Sequence, residues 1–385
     1  MATRQMAPSG PPSDEKMIGL EALRFAAALA ILIYHYPQFV PNFMIDHESA
    51  ILVAPFQVIF APLYAYGWAA VQLFWCISGF IFAWKYSGPI GAGKVSFRGF
   101  AILRFSRLYP LHFATLLAVA ALQIIYLRTH GAYFIYEYND LKHFALNIFF
   151  ASSWGLQDGT SFNGPSWSIS LELLVYALFF ACCRLIGSRT WLAMPVAFGL
   201  FFLSAEALSV DFLGIDGFQA VAFFYLGVLT CQIYEKISTR SRAARIMIGG
   251  AAGLVSLVGL MHLENGAPNP LVFPGMVLMF LLFIPDRDKR ANRVLCGLGD
   301  LTYASYMLHF PVQLAFLLLL NLAGIDMKAL AGSGAFLLVY LIAVLALSRV
   351  VFITFERPAQ HALRSLLLAR TVVAGQAVAV SGQAS

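Results

Sequence analysis

The sequence predicts an all-α, polytopic integral membrane protein of about ten transmembrane helices plus a short re-entrant or interfacial segment, and three observations carry that reading. Of its 385 residues, 60% are hydrophobic and only 11% charged, with a mean hydropathy of +0.76, far from the roughly 25% charged fraction of a soluble domain. The 34 Phe and 16 Tyr suit lipid-facing and interfacial surfaces, because so much apolar area would leave a water-soluble chain little surface to solvate. Runs of about 20 apolar residues, the length needed to cross hydrocarbon, recur along most of the chain.

Residues 1–15 are polar and Pro-rich, and no small-residue cleavage site follows the first apolar run. They are expected to form a disordered tail and not a removable signal. Spanning segments are predicted at 18–37, 66–84, 102–127, 167–186, 190–207, 218–234, 245–262, 271–285, 300–321 and 333–355. The apolar run "LKHFALNIFFASSW", from Leu141, falls below spanning length and is expected to be re-entrant or interfacial. Residues 16–358 then make one transmembrane domain and 359–385 a cytoplasmic tail, whose end, 371–385, reads as loose chain.

Charge tests this layout, since one span more or fewer reverses the sidedness of everything downstream. Lys85, Lys94, Arg98, Arg104 and Arg107 share a linker free of acids, and basic residues gather again at Arg184 and Arg189, from Lys236 to Arg245, from Arg287 to Arg293 and from Arg357 to Arg370. The intervening segments around Asp46 and Glu48, from Glu206 to Asp216 and around Glu264 carry acids and no Lys or Arg. The alternation closes with ten spans only if 141–153 does not cross, and the positive-inside rule then puts both termini in the cytoplasm. The net charge of +6 is explained by this sidedness, so a bilayer and not a nucleic acid is the expected partner. Five cysteines lie in or beside apolar segments without metal-ligand spacing, so they are expected to be small apolar side chains, with no disulfide framework and no metal. "GPIGAGKV", Gly88 to Val95, imitates a phosphate-binding loop but has Val where Ser or Thr must hold magnesium, and no strand precedes it.

Polar groups inside the spans are the candidate functional residues, because ionisable side chains are costly in lipid and by default face the bundle interior. In "EALRFAAALAILIYHY" the eleven residues from Arg24 to His35 correspond to about 16 Å of rise and about 20° of net rotation. Both therefore share one face, with Glu21 a turn below Arg24; a snorkelling Arg and an interfacial His are the ordinary alternative. "LRFSRLYP" places Arg104 and Arg107 one turn apart, a pair able to grip a phosphate or pyrophosphate as well as anchor the inner surface. In "NGPSWSISLELLVY", Ser166, Trp167 and Ser168 begin a helix that puts Glu172 within the membrane about one turn from its outer end. "LGDLTYASYMLHFPV" sets Asp300, Tyr303, Tyr306 and His309 at three-residue steps, and "FITFERP" places Glu356 beside Arg357 in what reads as an interfacial ion pair.

Together these stretches, with "FWCISGFIF" and "FFYLGVL", resemble the membrane-bound acyltransferase family 3, bacterial proteins that O-acylate polysaccharides, lipopolysaccharide and lipo-oligosaccharides. The resemblance covers roughly 17–358; Glu21 and Ala22 stand where Asp-Gly is commoner, and Asp300 replaces a frequent Lys or Arg. It implies a multi-pass protein of the bacterial inner membrane that takes an acyl group, usually acetyl, from acyl-coenzyme A in the cytoplasm to a carbohydrate hydroxyl outside. On that reading Arg24, Arg104 and Arg107 hold the coenzyme phosphates and the pantetheine arm climbs towards His35. His35 acts as general base or transient acyl carrier, Glu172 orients it or positions the acceptor, and Ser166, Trp167, Ser168 and His309 belong to the acceptor side. Some members carry a fused extracytoplasmic esterase-like domain; none is expected here, so the chain acylates its acceptor directly or a separate extracytoplasmic transferase completes the step. The competing reading is a transporter or flippase with a proton relay through His35 and Glu172.

Overall fold

The computed structural model describes residues 16–40, 43–187, 194–196, 199, 214–263, 269–284 and 289–381. Among these residues there is no strand, and eight helical segments are long and apolar enough to cross a membrane. The predicted span at 190–207 lies almost wholly outside the described residues.

The first span, α1 (Ile18–His35), tightens into a 3-10 turn over Tyr36–Phe39, where Pro37 offers no backbone N–H to continue the α ladder. A seven-residue helix, α2 (His47–Val53), follows; its cap is Asp46, whose Oδ1 accepts the Ser49 N–H at 3.0 Å. Next, α3 (Gln57–Tyr66) and α4 (Ala70–Gly91) join through a 3-10 turn at Gly67–Ala69 into one 35-residue segment, longer than the predicted 66–84. The phosphate-loop imitation thus starts inside a membrane helix. The long helix α5 (Phe97–His130) starts where Ser96 Oγ accepts the Gly99 N–H at 3.1 Å and stops at Gly131, whose φ of +76° is the left-handed cap that glycine adopts without steric penalty.

The run from Leu141 forms only the eight-residue α6 (Leu141–Ile148), far short of a span. After α7 (Trp167–Ile186), α8 (Gly214–Ser238) and α9 (Arg242–Met261) comes α10 (Val272–Phe283), 12 residues long. At about 1.5 Å per residue it reaches about 18 Å, shorter than the span predicted at 271–285; Pro285 in the sequence disfavours α geometry at Ile284, where the helix has ended. The chain closes with α11 (Lys289–Leu322), the short α12 (Met327–Ala331), α13 (Gly334–Val351), a π-helical turn at Phe352–Glu356 and α14 (Arg357–Ser381). Helix therefore continues into the segment from 371 where loose chain is expected, because its Ala- and Val-rich sequence contains no Pro after Pro358 to break it.

At the centre, α1 packs on α3, α4, α10 and α11, while α5 lies against α11 and α14. The closest crossing is α4 on α8. A Cβ on Gly79 would fall 1.8 Å from the Phe224 carbonyl oxygen, and one on Gly227 1.9 Å from that of Cys76. Two reciprocal glycines thus let the backbones touch, the device by which membrane helices gain van der Waals contact when lipid offers no hydrophobic drive. This crossing sets α4 beside α7 and gives the cavity described below its wall.

Candidate active site

Helices α1, α4, α5, α7 and α11 enclose a cavity of about 140 Å³. Arg24 enters it from α1, Arg104 and Arg107 from α5, Ser78 from α4, Ser168, Glu172 and Tyr176 from α7, and Thr302, Tyr303 and Tyr306 from α11. Three helices, α1, α5 and α7, thus bring all three sequence-predicted arginines and Glu172 to one space.

The cations are differently restrained. Arg24 Nη1 lies 3.3 and 3.4 Å from the two Glu21 carboxylate oxygens, longer than the roughly 2.7–2.9 Å of a firm charge-assisted bond, so the pair leaves the guanidinium available. Arg104 donates to the Tyr86 hydroxyl at 2.7 Å and sits over the rings of Phe82, Tyr86 and Phe100, 5.1, 5.1 and 6.0 Å from their centroids. Each ring contributes about 0.5–2 kcal/mol, against several kcal/mol for taking an ion out of water, and Arg104 Nε keeps no hydrogen-bond partner among the described residues. Neither Arg104 nor Arg107 forms an ion pair among the described residues. Three guanidiniums against the one carboxylate of Glu172 give the cavity wall an excess of positive charge.

Glu172 is held in place by hydroxyls: Ser78 Oγ donates to its Oε1 at 2.5 Å, and the Tyr176 hydroxyl donates to the same oxygen. It does not contact His35, so the expectation that it orients that imidazole gives way to a place in the cavity wall. Glu356 is also displaced from its expected role. It is buried in the π-helical turn with Oε2 unpartnered among the described residues, while Arg357 is exposed. The two make no ion pair among the described residues. A π turn carries its residues out of α register, so spacing along the sequence alone misplaces this side chain.

The cavity stops at Tyr306 and does not include His35. Behind that tyrosine, His35 and His309 form a pair with ring centroids 4.9 Å apart, and the Tyr306 and His309 rings are 5.8 Å apart. His35 Nδ1 lies 3.0 Å from the Ile31 carbonyl oxygen and His309 Nδ1 2.6 Å from that of Tyr306. A carbonyl can only accept, so in both rings Nδ1 carries the proton and a neutral imidazole presents Nε2 as the base. His309 Nε2 is buried with no partner among the described residues. Gln313 ties α11 to the end of α1 by donating to the His35 carbonyl at 3.0 Å. Spacing within one helix could not place His309, from α11, against His35.

Ser168 bonds the Tyr306 hydroxyl at 2.8 Å, and that hydroxyl also donates to the Pro165 carbonyl at 2.8 Å. Ser166 and Trp167 face away from the arginines into a second, polar cavity. Ser166 Oγ donates to Asn147 Oδ1 at 3.3 Å, and Asn147 Nδ2 donates to Ser161 Oγ at 2.9 Å. Asp140 caps α6 through the His143 N–H at 2.9 Å; that backbone N–H, then the imidazole, hold its carboxyl below the usual carboxylate range. The loop between α5 and α7 is thus a hydrogen-bonded wall.

Comparison with known proteins identifies the family. Residues 17–352 match the family described as "Acyltransferase domain". The chain is 26% identical over 332 residues to Acyltransferase MdmB of Streptomyces mycarofaciens, covering 78% of this chain and 80% of the relative. It is 23% identical over 267 residues to ORF330 of Acidianus two-tailed virus, a candidate acetyltransferase, covering 67% of this chain and 76% of that one. No solved structure matches. The chain belongs to this acyltransferase family, as a multi-pass membrane enzyme that transfers acyl groups other than aminoacyl groups.

Proposed function

We propose that the enzyme moves an acyl group, acetyl as the reference case, from acyl-coenzyme A on the cytoplasmic side of a bacterial cell membrane to a hydroxyl of a cell-surface or secreted carbohydrate. The observation that carries the donor half is the convergence of Arg24, Arg104 and Arg107 on one cavity, with Arg104 caged by aromatic rings and lacking a carboxylate partner among the described residues. Phosphate and pyrophosphate oxygens supply the counter-charge that Arg104 and Arg107 lack among the described residues. The apolar walls from Val71 to Phe82 suit the uncharged pantetheine arm.

His35 Nε2 takes the proton of the acceptor hydroxyl as its oxygen attacks the thioester carbonyl carbon. The new C–O bond forms as the C–S bond breaks, and the same proton passes to the leaving thiolate. In the covalent alternative Nε2 attacks the thioester carbon and coenzyme A leaves as the thiolate; the acyl-imidazolium then gives its acyl group to the acceptor hydroxyl, whose proton passes to the thiolate. His309, whose ring lies against His35, positions that ring and belongs to the acceptor side of the site. A separate extracytoplasmic transferase that finishes the reaction is compatible with the donor half.

The test compares surface and secreted glycans of wild-type and His35→Ala cells for ester-linked acyl groups. Loss of the ester in the variant is expected. Full acylation in the variant, with transport of the glycan lost instead, would replace the enzyme mechanism by a proton-relay transporter.

A further inference from the structure

The second polar cavity, about 270 Å³ in volume, lies where the loop between α5 and α7 meets the start of α8. Its wall carries the hydroxyls of Ser152, Ser153 and Thr160, the amide of Gln157, the carboxylate of Asp216 and the indole of Trp167, with no Lys or Arg among the described residues that line it. Gln157 Oε1 is buried and has no hydrogen-bond partner among the described residues. An acceptor atom left so is costly unless a ligand or water donates to it.

This donor and acceptor pattern selects a ligand class. A phosphate or carboxylate ligand would meet Asp216 with no cation to offset it, and an apolar ligand would strand several polar groups without partners. A ring bearing several hydroxyls can donate to Gln157 and Asp216 and accept from the serines and threonine, while its C–H face lies on the flat Trp167 ring. The volume, close to the lower end of the roughly 300–1,000 Å³ of small-ligand sites, suits one such ring.

Position links the chamber to the arginine cavity. Trp167, in this wall, meets Trp75, in the wall of the arginine cavity, edge to face at 5.8 Å and 82°. One residue on, Ser168 already lines the arginine cavity. The two spaces therefore lie back to back across the first turn of α7, with an indole pair as the partition. We propose that this chamber is the acceptor subsite and that it holds one uncharged pyranoside ring by hydrogen bonds to Gln157 and Asp216 and by stacking on Trp167. The proposal rests on the carbohydrate-transfer reading above and names the subsite that reading lacks.

The test uses the purified full chain in lipid nanodiscs and saturation-transfer NMR with methyl glucopyranoside, methyl galactopyranoside and methyl mannopyranoside, beside cyclohexanol as the apolar ring. At least one glycoside should receive saturation and cyclohexanol none, and Gln157→Leu should weaken the glycoside signal about tenfold, as expected for a lost buried hydrogen bond. Asp216→Asn, at the start of α8, should also weaken it and serves if the first variant fails to fold. Absence of all three glycoside signals, an equal signal from cyclohexanol, or signals unchanged in the variants would overturn the proposal. Acetyl-coenzyme A binding is measured on the same samples. Its absence would defeat the donor assignment while leaving the chamber to be judged on the glycoside signals alone.

Discussion

His35 ends its helix with Nδ1 committed to the Ile31 carbonyl, so its chemistry is confined to Nε2, and the same holds for His309. Because His309 is buried beside it, His309→Phe should keep the ring packing yet lower acyl transfer, whereas coenzyme A affinity, set by the arginines, should stay at the wild-type value. A titration calorimetry series on wild type and variant, beside an acyl-transfer assay, checks that split; a parallel loss of coenzyme A affinity would contradict it. Arg104→Lys retains a charge but loses the planar contact with three rings and the bond to Tyr86. It should weaken coenzyme A binding by about tenfold in the same calorimetry, since Arg and Lys are not equivalent at stacked or bidentate sites. Among these residues, Arg24, Arg104, Arg107 and Glu172 are legible in the sequence as polar groups misplaced in lipid, a local property of the chain. The hydroxyl partners of Glu172, the His35–His309 pair and the burial of Glu356 are not, because each depends on which helices meet or on a local change of helical register.

At the scale of elements, the α4–α8 crossing is the most sensitive joint. Adding side-chain volume at either glycine would drive a Cβ into a backbone carbonyl within 2 Å, which no rotamer change relieves. Gly79→Leu or Gly227→Leu should therefore abolish the folded, monodisperse species in detergent, while Gly88→Ala, whose Cβ meets nothing within 4 Å, should leave the elution profile unchanged. Equal behaviour of the three variants in size-exclusion chromatography would contradict the crossing. Apolar length locates the helices well, because hydrophobic thickness is a sequence property. It misjudges their ends: α4 gains α3 through a 3-10 turn and α10 stops short. Those limits come from glycine, proline and packing, which a hydropathy window averages away.

For the whole molecule, the proposed reaction requires the arginine cavity to open towards the cytoplasm and the polar chamber towards the outside. With Cys296 replaced by Ser, the four remaining cysteines are buried and single exposed positions report sidedness. A membrane-impermeant maleimide should label Glu48→Cys on intact cells and Lys94→Cys only after permeabilisation; the reverse pattern would invert the topology. Charge alternation along the chain makes this orientation readable from the sequence; the segment at 190–207 lies almost wholly outside the described residues. The most direct test of acyl transfer across the membrane supplies radiolabelled acetyl-coenzyme A to the exposed cytoplasmic face of sealed inverted vesicles and follows ester-linked label on glycan. Wild-type vesicles should accumulate label and His35→Ala vesicles about 100-fold less or below; equal accumulation in the two would contradict it.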